Sequence, residues 1–320
     1  MILLTGATGT VGSALLRRMT AGATPVRCLV RDPRGLGAER VRVQITLGDL
    51  ADSGSFRNAL RGVDTVVHLA ASIRDQGRGS IEELNAMATL RLVRAAERAG
   101  ARRFVFVSAL NASLQSPTRF FRSKALARAA VEKADLETTV FSPSIVYTPG
   151  DPWLTLLERL SLLPLVPISG SGRSLFQPIW AEDVADCVMA ALDLPSDGRR
   201  SFDLAGPEIL SYEQIVRTAL RPLGRRRPMV HVPLPVVRGS LRGLERLVGD
   251  SAFATWEEAE LMEEPMTTGR GTADAESLGV IPLRMSAVRG GRYRNRKGGA
   301  QPERRSGEHR TYPFNDRGPG

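Results

Sequence analysis

The segment TGATGTVG places glycine at positions 6, 9 and 12. Glycine lets a chain turn sharply, and it lets backbone N–H groups approach an anion with no Cβ between them. A helix opening at Thr10 would aim its unpaired N–H groups and the positive end of its dipole at the same point. The pattern is therefore expected to hold the pyrophosphate of a dinucleotide, with Gly6, Thr8, Gly9, Thr10, Val11 and Gly12 around it. The spacing is G-x-x-G-x-x-G rather than G-x-G-x-x-G, and an ordinary glycine-rich turn is the competing reading.

Cofactor choice is expected at the end of the second strand, in VRCLVRDP, where Arg31 falls 19 residues past Gly12. A carboxylate there would bind the ribose hydroxyls of NAD, whereas a guanidinium suits the 2′-phosphate of NADP. Arg31 points to NADP, and the adjacent Asp32 keeps NAD open. Arg31 and Arg27 also read as plain solvated charges at a strand end. After the third strand comes GDL, where Asp49 could accept from an adenine amino group, with Leu50 beside it. After the fourth, Leu69, Ala70 and Ala71 are expected to line the cofactor, the alanines because small residues let it lie against the strand end. His68 sits inside an apolar run and reads as a satisfied core histidine. Glu182 and Asp183 read as acids complementing a helix dipole, not as a catalytic pair.

These residues need a scaffold. Ile2–Thr5, Val26–Val30, Val41–Leu47, Asp64–Ala71, Phe104–Ser108 and Thr138–Ser142 read as short buried strands. Helices are expected between them, at Thr10–Ala21, Ser55–Arg61, Ile81–Ala99 (ended by Gly100) and Ser123–Ala134. Strands alternating with helices predict an α/β doubly wound parallel sheet of about seven strands with the first in its centre. Ala181–Leu194 and Ser201–Leu204 resume the pattern, and Tyr212–Leu220, Leu234–Val248 and Trp256–Met262 read as further helices. The expected organisation is a nucleotide-binding core over 1–150, to which 179–206 return. A substrate-side cap is expected from 151–178 and 207–284, and a disordered basic tail over 285–320.

TGATGTVG, VRCLVRDP, GDL, HLAA, the helix containing Asn85, FVFVSA and Ser123-Lys124 occur here in one order. Together they resemble the short-chain dehydrogenase/reductase superfamily, in its atypical and extended branches. The nearest likeness is to NmrA-like proteins and to the accessory subunit of respiratory complex I with this fold. The resemblance covers about residues 1–284 and implies a Rossmann core that binds NADP or NAD. Active members carry Tyr-x-x-x-Lys on one helix: the Lys lowers the phenol pKa and binds the nicotinamide ribose, and a Ser after the fifth strand polarises the substrate. Lys124 matches the Lys and Ser108 the Ser, while the Tyr position holds Phe120. Lys124 also reads as a surface helix lysine, and Ser108 as a small residue closing a strand. Pro143 is counted with the cofactor-lining residues. It follows Ser142 where extended relatives often have Arg-Pro. Tyr147 is read as core packing, with approach to a substrate as its alternative.

The resemblance implies a weak or specialised oxidoreductase or epimerase on an unidentified small molecule. Phe120 leaves a second reading open, a non-catalytic regulatory or assembly subunit that binds NADP(H). The chain has 320 residues with 42% apolar and 24% charged, which excludes a wholly disordered protein. Two cysteines and three histidines exclude a disulfide framework and argue against a metal site; a reducing cytoplasm is the simplest compartment. No apolar run reaches the roughly 20 residues of a membrane span, and no signal peptide is expected. Net charge is +10, but 285–320 carry nine basic residues against three acidic ones, leaving +4 for the rest. That Arg/Gly-rich stretch suits an anionic partner such as RNA or lipid, or is simply a solvated end.

Overall fold

In the inner strands the short runs rich in Val, Ile, Leu and Phe form because both faces are covered by helices, so most residues there are buried whichever way they point. In chain order the first half runs β1 (Ile2–Thr5), α1 (Thr10–Met19), β2 (Val26–Val30), β3 (Gln44–Leu47), α2 (Ser53–Phe56), β4 (Thr65–His68), α3 (Ala88–Arg98), β5 (Arg103–Val107), α4 (Arg119–Glu132) and β6 (Glu137–Pro143). The second half runs β7 (Val146–Tyr147), α5 (Pro152–Leu160), β8 (Val166–Ser169), β9 (Leu175–Phe176), β10 (Ile179–Trp180), α6 (Ala181–Leu192) and β11 (Arg200–Leu204). It closes with β12 (Leu210–Ser211), α7 (Tyr212–Leu220), β13 (Met229–Val232), α8 (Leu234–Val248), α9 (Trp256–Leu261) and α10 (Ala273–Ser277). This computed structural model describes residues 1–288 apart from 23, 196–197, 226 and 249–255.

Seven strands form one sheet in the order β11-β6-β5-β4-β1-β2-β3, every neighbouring pair parallel. The doubly wound sheet expected from the sequence is therefore present. β4, not β1, holds its middle, and β1 lies beside it. On one face α1 and α6 pack side by side through Ala14, Leu15, Leu16, Val184, Ala185 and Val188. Arg17 and Arg18 in the last turn of α1 meet Glu182 and Asp186 of α6; the Arg18 Nε–Asp186 Oδ1 distance is 2.5 Å. Glu182 and Asp183 do lie in the first turn of α6, as read. On the other face Leu92, Val93 and Ala96 of α3 and Ala127 and Val131 of α4 pack against Phe104, Phe106 and Val140.

Three local expectations needed correction. Residues 33–42 form 3₁₀ turns rather than the start of a strand, and Val41 is exposed, so β3 begins only at Gln44. The helix expected from Ile81 starts there but carries a π turn over Glu83–Met87. The helix expected from Ser123 starts at Arg119.

A second cluster joins Leu154, Leu157, Val166, Ile168, Phe176, Ile215, Val216 and Leu220 to Ala109, Leu110 and Phe121. It rests on the segments that follow β5, at the carboxyl end of that strand. Met285 and Val288 are buried in it, and Met285 N–H donates to Glu208 at 3.0 Å. The expected tail therefore begins no earlier than 289, and 289–320 lie outside the described residues. No helix among the described residues is long and apolar enough to cross a membrane.

Candidate functional site

The glycine loop joins β1 to α1 and is shaped by backbone contacts that tolerate no side chain. Gly6 has φ +75°, and a Cβ there would lie 2.5 Å from the Ala70 nitrogen. A Cβ on Gly12 would lie 2.0 Å from the Gly6 carbonyl oxygen. Gly9 N–H donates to Gly6 O at 3.0 Å, closing the turn. The first helical bond of α1 runs from Ser13 N–H to Gly9 O, which leaves the N–H groups of Thr10, Val11 and Gly12 outside the helical ladder. No side chain caps this helix and its first turn holds no acid. Residues 33–42 close over the loop, where a Cβ on Gly35 would sit 2.8 Å from Thr8 Cγ2. The loop thus faces Leu69 and Ala70 at the end of β4.

At the ends of β2 and β3 a corner forms from residues far apart in sequence. Arg31 is exposed, and its Nη1 donates to Gln76 Oε1 at 3.4 Å. Arg78 donates to the same oxygen and to Asp49 Oδ2, the latter at 3.2 Å. Asp49 also accepts from Ala51 N–H at 3.0 Å, so its carboxylate fixes a turn and holds Arg78. Leu50 packs on the core behind it. Asp32 is turned to Arg34, accepting from its N–H at 2.9 Å and from its Nε. That pairing holds the Asp32 carboxyl below its usual range. Arg27 is structural, donating to Ala59 O, Arg61 O and Gln44. Gln76 and Arg78 were not foreseen. They stand in a loop without periodicity, and only the crossover from β4 brings them back to β2.

The third group lies at the end of β5. Lys124 is 2% exposed, and its Nζ donates to Val107 O at 2.6 Å and lies 4.4 Å from the centre of the Phe106 ring. It is not the surface lysine of the alternative reading. Burial pushes its pKa down to about 7. His68 stacks on the same Phe106 ring, with centroids 5.7 Å apart. Its Nδ1 meets Thr5 Oγ1 at 2.6 Å and its Nε2 meets Thr89 Oγ1 at 2.9 Å. Because Thr89 donates its proton to Asn85 O, His68 must donate from Nε2 and accept at Nδ1. Burial, helped by the nearby Lys124 charge, pushes its pKa down to about 3. It is the satisfied core histidine the sequence suggested.

Asn85, on the π turn, ties this region together. Its side chain accepts from Ser72 N–H and donates to Ser72 O, both at 2.8 Å, and donates to Ser123 Oγ at 3.0 Å. Ser108 is buried, and its hydroxyl has no hydrogen-bond partner among the described residues. Pro143 ends β6 beside it, accepting from Leu110 N–H at 2.9 Å. Phe120 is half-buried, one helical turn before Lys124, with its ring 5.5 Å from Phe121 and packed on the cap cluster. Tyr147 is fully buried in that cluster, as core packing requires. Ala71 is exposed at the mouth of the β4 loop. No group of three or more His, Cys, Asp or Glu among the described residues could hold a metal ion.

A parallel sheet with an uncapped, glycine-lined helix start at the carboxyl end of its first strand defines a dinucleotide-binding protein of the Rossmann class. The chain belongs to the family described as NAD(P)H-binding, which matches residues 6–195. It is 30% identical over 266 residues to sterol demethylase protein B of Methylococcus capsulatus, covering 74% of this chain and 79% of that protein. It is 28% identical over 260 residues to the mitochondrial NADH dehydrogenase [ubiquinone] 1 alpha subcomplex subunit 9 of Arabidopsis thaliana, covering 78% of this chain and 64% of that one. A solved nucleoside-diphosphate-sugar epimerase from Staphylococcus aureus shares the fold, with TM-score 0.73, 20% identity, and coverage of 90% of this chain and 99% of its own. The likeness to atypical reductases and the complex I accessory subunit read from the sequence is borne out.

Proposed function

We propose that this chain is an NADP(H)-dependent oxidoreductase of the atypical type, acting weakly or on a specialised carbonyl or alcohol. The observation that carries the reading is the glycine cradle, where any Cβ at Gly6 or Gly12 would strike backbone. Such close packing frees N–H groups to meet a pyrophosphate, with Gly6, Thr8, Gly9, Thr10, Val11 and Gly12 around it. Arg31 and Arg78, two guanidiniums meeting on one amide oxygen, suit a 2′-phosphate, and Asp32 is already engaged by Arg34. Lys124 has one bond to Val107 O and keeps further N–H donors for ribose hydroxyls. Leu69, Ala70, Ala71 and Pro143 would flank the nicotinamide half, with Asp49 and Leu50 near the adenine. The bound cofactor supplies or takes a hydride. Ser108, with its unpartnered buried hydroxyl, would donate to the substrate oxygen.

Phe120 stands where the resemblance puts the proton-relaying tyrosine, and phenylalanine carries no exchangeable proton. Native turnover of generic carbonyls is therefore expected to be poor. The test is a direct titration with NADPH and NADH beside a turnover screen with carbonyl and sugar-nucleotide substrates, on the native chain and on Phe120→Tyr. Tight NADPH binding with slow native turnover that the variant raises supports the reading. NADPH binding with no turnover in either protein would overturn it in favour of a binding-only subunit.

A further inference from the structure

The cap carries an apolar surface that the cofactor reading does not use. After α5 the chain turns through Ser161, Leu162, Leu163, Pro164 and Leu165 into β8. Leu162 is 64% exposed, and Leu163 and Leu165 are each 47% exposed. The turn is ordered by backbone bonds, Leu162 N–H to Arg159 O at 3.0 Å and Leu163 N–H to Leu160 O at 3.1 Å. The leucines therefore project from a fixed turn. Strand alternation continues the surface: Val166 and Ile168 point into the cap, while Leu165 and Pro167 face water. β13 pairs with β8 in parallel, setting Val230 beside Pro167, and Val230 is 42% exposed.

Arginines border this surface. Arg225 Nη1 donates to Ser161 Oγ at 2.8 Å and Arg227 Nε points to Ser161 O at 3.4 Å, so both guanidiniums are tied to the base of the leucine turn. Arg227 and Arg159 are exposed. Among the described residues, segments 158–169 and 221–233 hold four arginines and one glutamate, a charge of +3. Projecting aliphatic residues ringed by arginine match the two layers of a phospholipid surface, acyl chains below and phosphates above. A protein partner would need a complementary cavity for the leucines, whereas a bilayer needs only depth and negative charge.

We propose that the Leu162–Leu165 turn and the outward face of the β8–β13 pair dock this protein peripherally on an anionic phospholipid membrane. The leucines enter the acyl boundary, and Arg159, Arg225 and Arg227 meet lipid phosphates. The proposal draws on none of the residues assigned to the cofactor site.

The test uses the full chain with vesicles of phosphatidylcholine, alone or mixed with phosphatidylglycerol. Binding is expected only to the mixed vesicles, weakening with salt. The triple variant L162S/L163S/L165S keeps every charge, including those of 289–320, and should lower the partition coefficient by at least about tenfold. Its circular dichroism and NADPH titration should match the parent, which shows that the fold survives. In a second variant, L163W, the added indole fluorescence should be quenched by brominated phosphatidylcholine in the mixed vesicles. Equal binding by parent and triple variant, or an unquenched L163W, would overturn the proposal. So would self-association of the parent that the triple variant abolishes without any vesicle binding, which would make the surface a contact between copies.

Discussion

Replacing Lys124 with Met should change how stability depends on pH, and the size of the change follows from the site. The lysine is buried against Phe106 with one carbonyl partner, so its pKa falls from 10.5 to about 7. In the unfolded chain it keeps its proton up to 10.5. Between these values unfolding takes up a proton, so stability rises with pH, and the cost of burying the charge is complete below about 7. The full shift corresponds to roughly 5 kcal/mol. Other groups leave a usable window. His68, lowered from 6.5 to about 3, costs stability only as pH falls below 6.5. Cys28 and Cys187, raised from 9.0 to about 12 by burial, lower stability only as pH rises past 9.0. Urea unfolding across pH 7 to 9, followed by tryptophan fluorescence, therefore isolates Lys124. The parent should gain about 2 kcal/mol over that span relative to Lys124→Met. The variant should be the more stable of the two at the acid end, despite losing the bond to Val107 O. Parallel pH profiles would refute the reasoning, because they would mean that Lys124 keeps an ordinary pKa and is hydrated.

Three further outcomes are expected at the same site. Arg31→Asp should weaken NADPH far more than NADH in a fluorescence titration, by losing a phosphate partner and adding like charge; equal losses would make Arg31 structural. Gly12→Ala should abolish binding of both cofactors and lower the melting temperature, since its Cβ would lie 2.0 Å from Gly6 O, whereas Gly9→Ala, with 3.3 Å to the same atom, should be milder. Phe120→Tyr should raise carbonyl reduction by roughly 10²- to 10⁴-fold, the usual contribution of a positioned acid–base group; unchanged robust turnover would place the proton donor elsewhere.

What could be read from the chain was whatever depends on neighbours in sequence. Runs such as ILLT, VRCLV and FVFV announce strands because a doubly covered sheet asks only for apolar residues, and Gly100, with φ +76°, ends its helix where the pattern stops. The glycine loop was legible because its function lies in the backbone. The corner at Arg31 was half legible: the strand end marks Arg31, but Gln76 and Arg78 reach it through a crossover 45 and 47 residues on. The π turn at Asn85 was invisible, since one inserted residue leaves the apolar period of a long helix nearly unchanged. Val41 misled because β-branched residues favour strands, yet it falls in a second 3₁₀ turn that follows the kink at Gly37. The small β8–β13, β9–β12 and β7–β10 pairs were missed, because strands of two to four residues take their partners from the fold.

The site separates into two parts held by different means. The glycine cradle is fixed by backbone against backbone, Gly6 on Ala70 and Gly12 on Gly6, inside the most central strands of the sheet. Any sequence that keeps those glycines and strands keeps the cradle. The groups at Ser108, Phe120 and Lys124 hang from the end of β5 and from α4, and there side-chain identity alone decides what proton chemistry is available. A tyrosine can become a phenylalanine on α4 without disturbing β1, α1 or β4. Cofactor binding and proton relay are thus independently variable in this fold, and a chain with an intact loop and Phe120 is the arrangement that independence permits. Lys124, one helical turn from Phe120, is buried and its pKa is pushed down to about 7. Its burial carries a stability cost that a purely structural core would avoid by placing an aliphatic residue there.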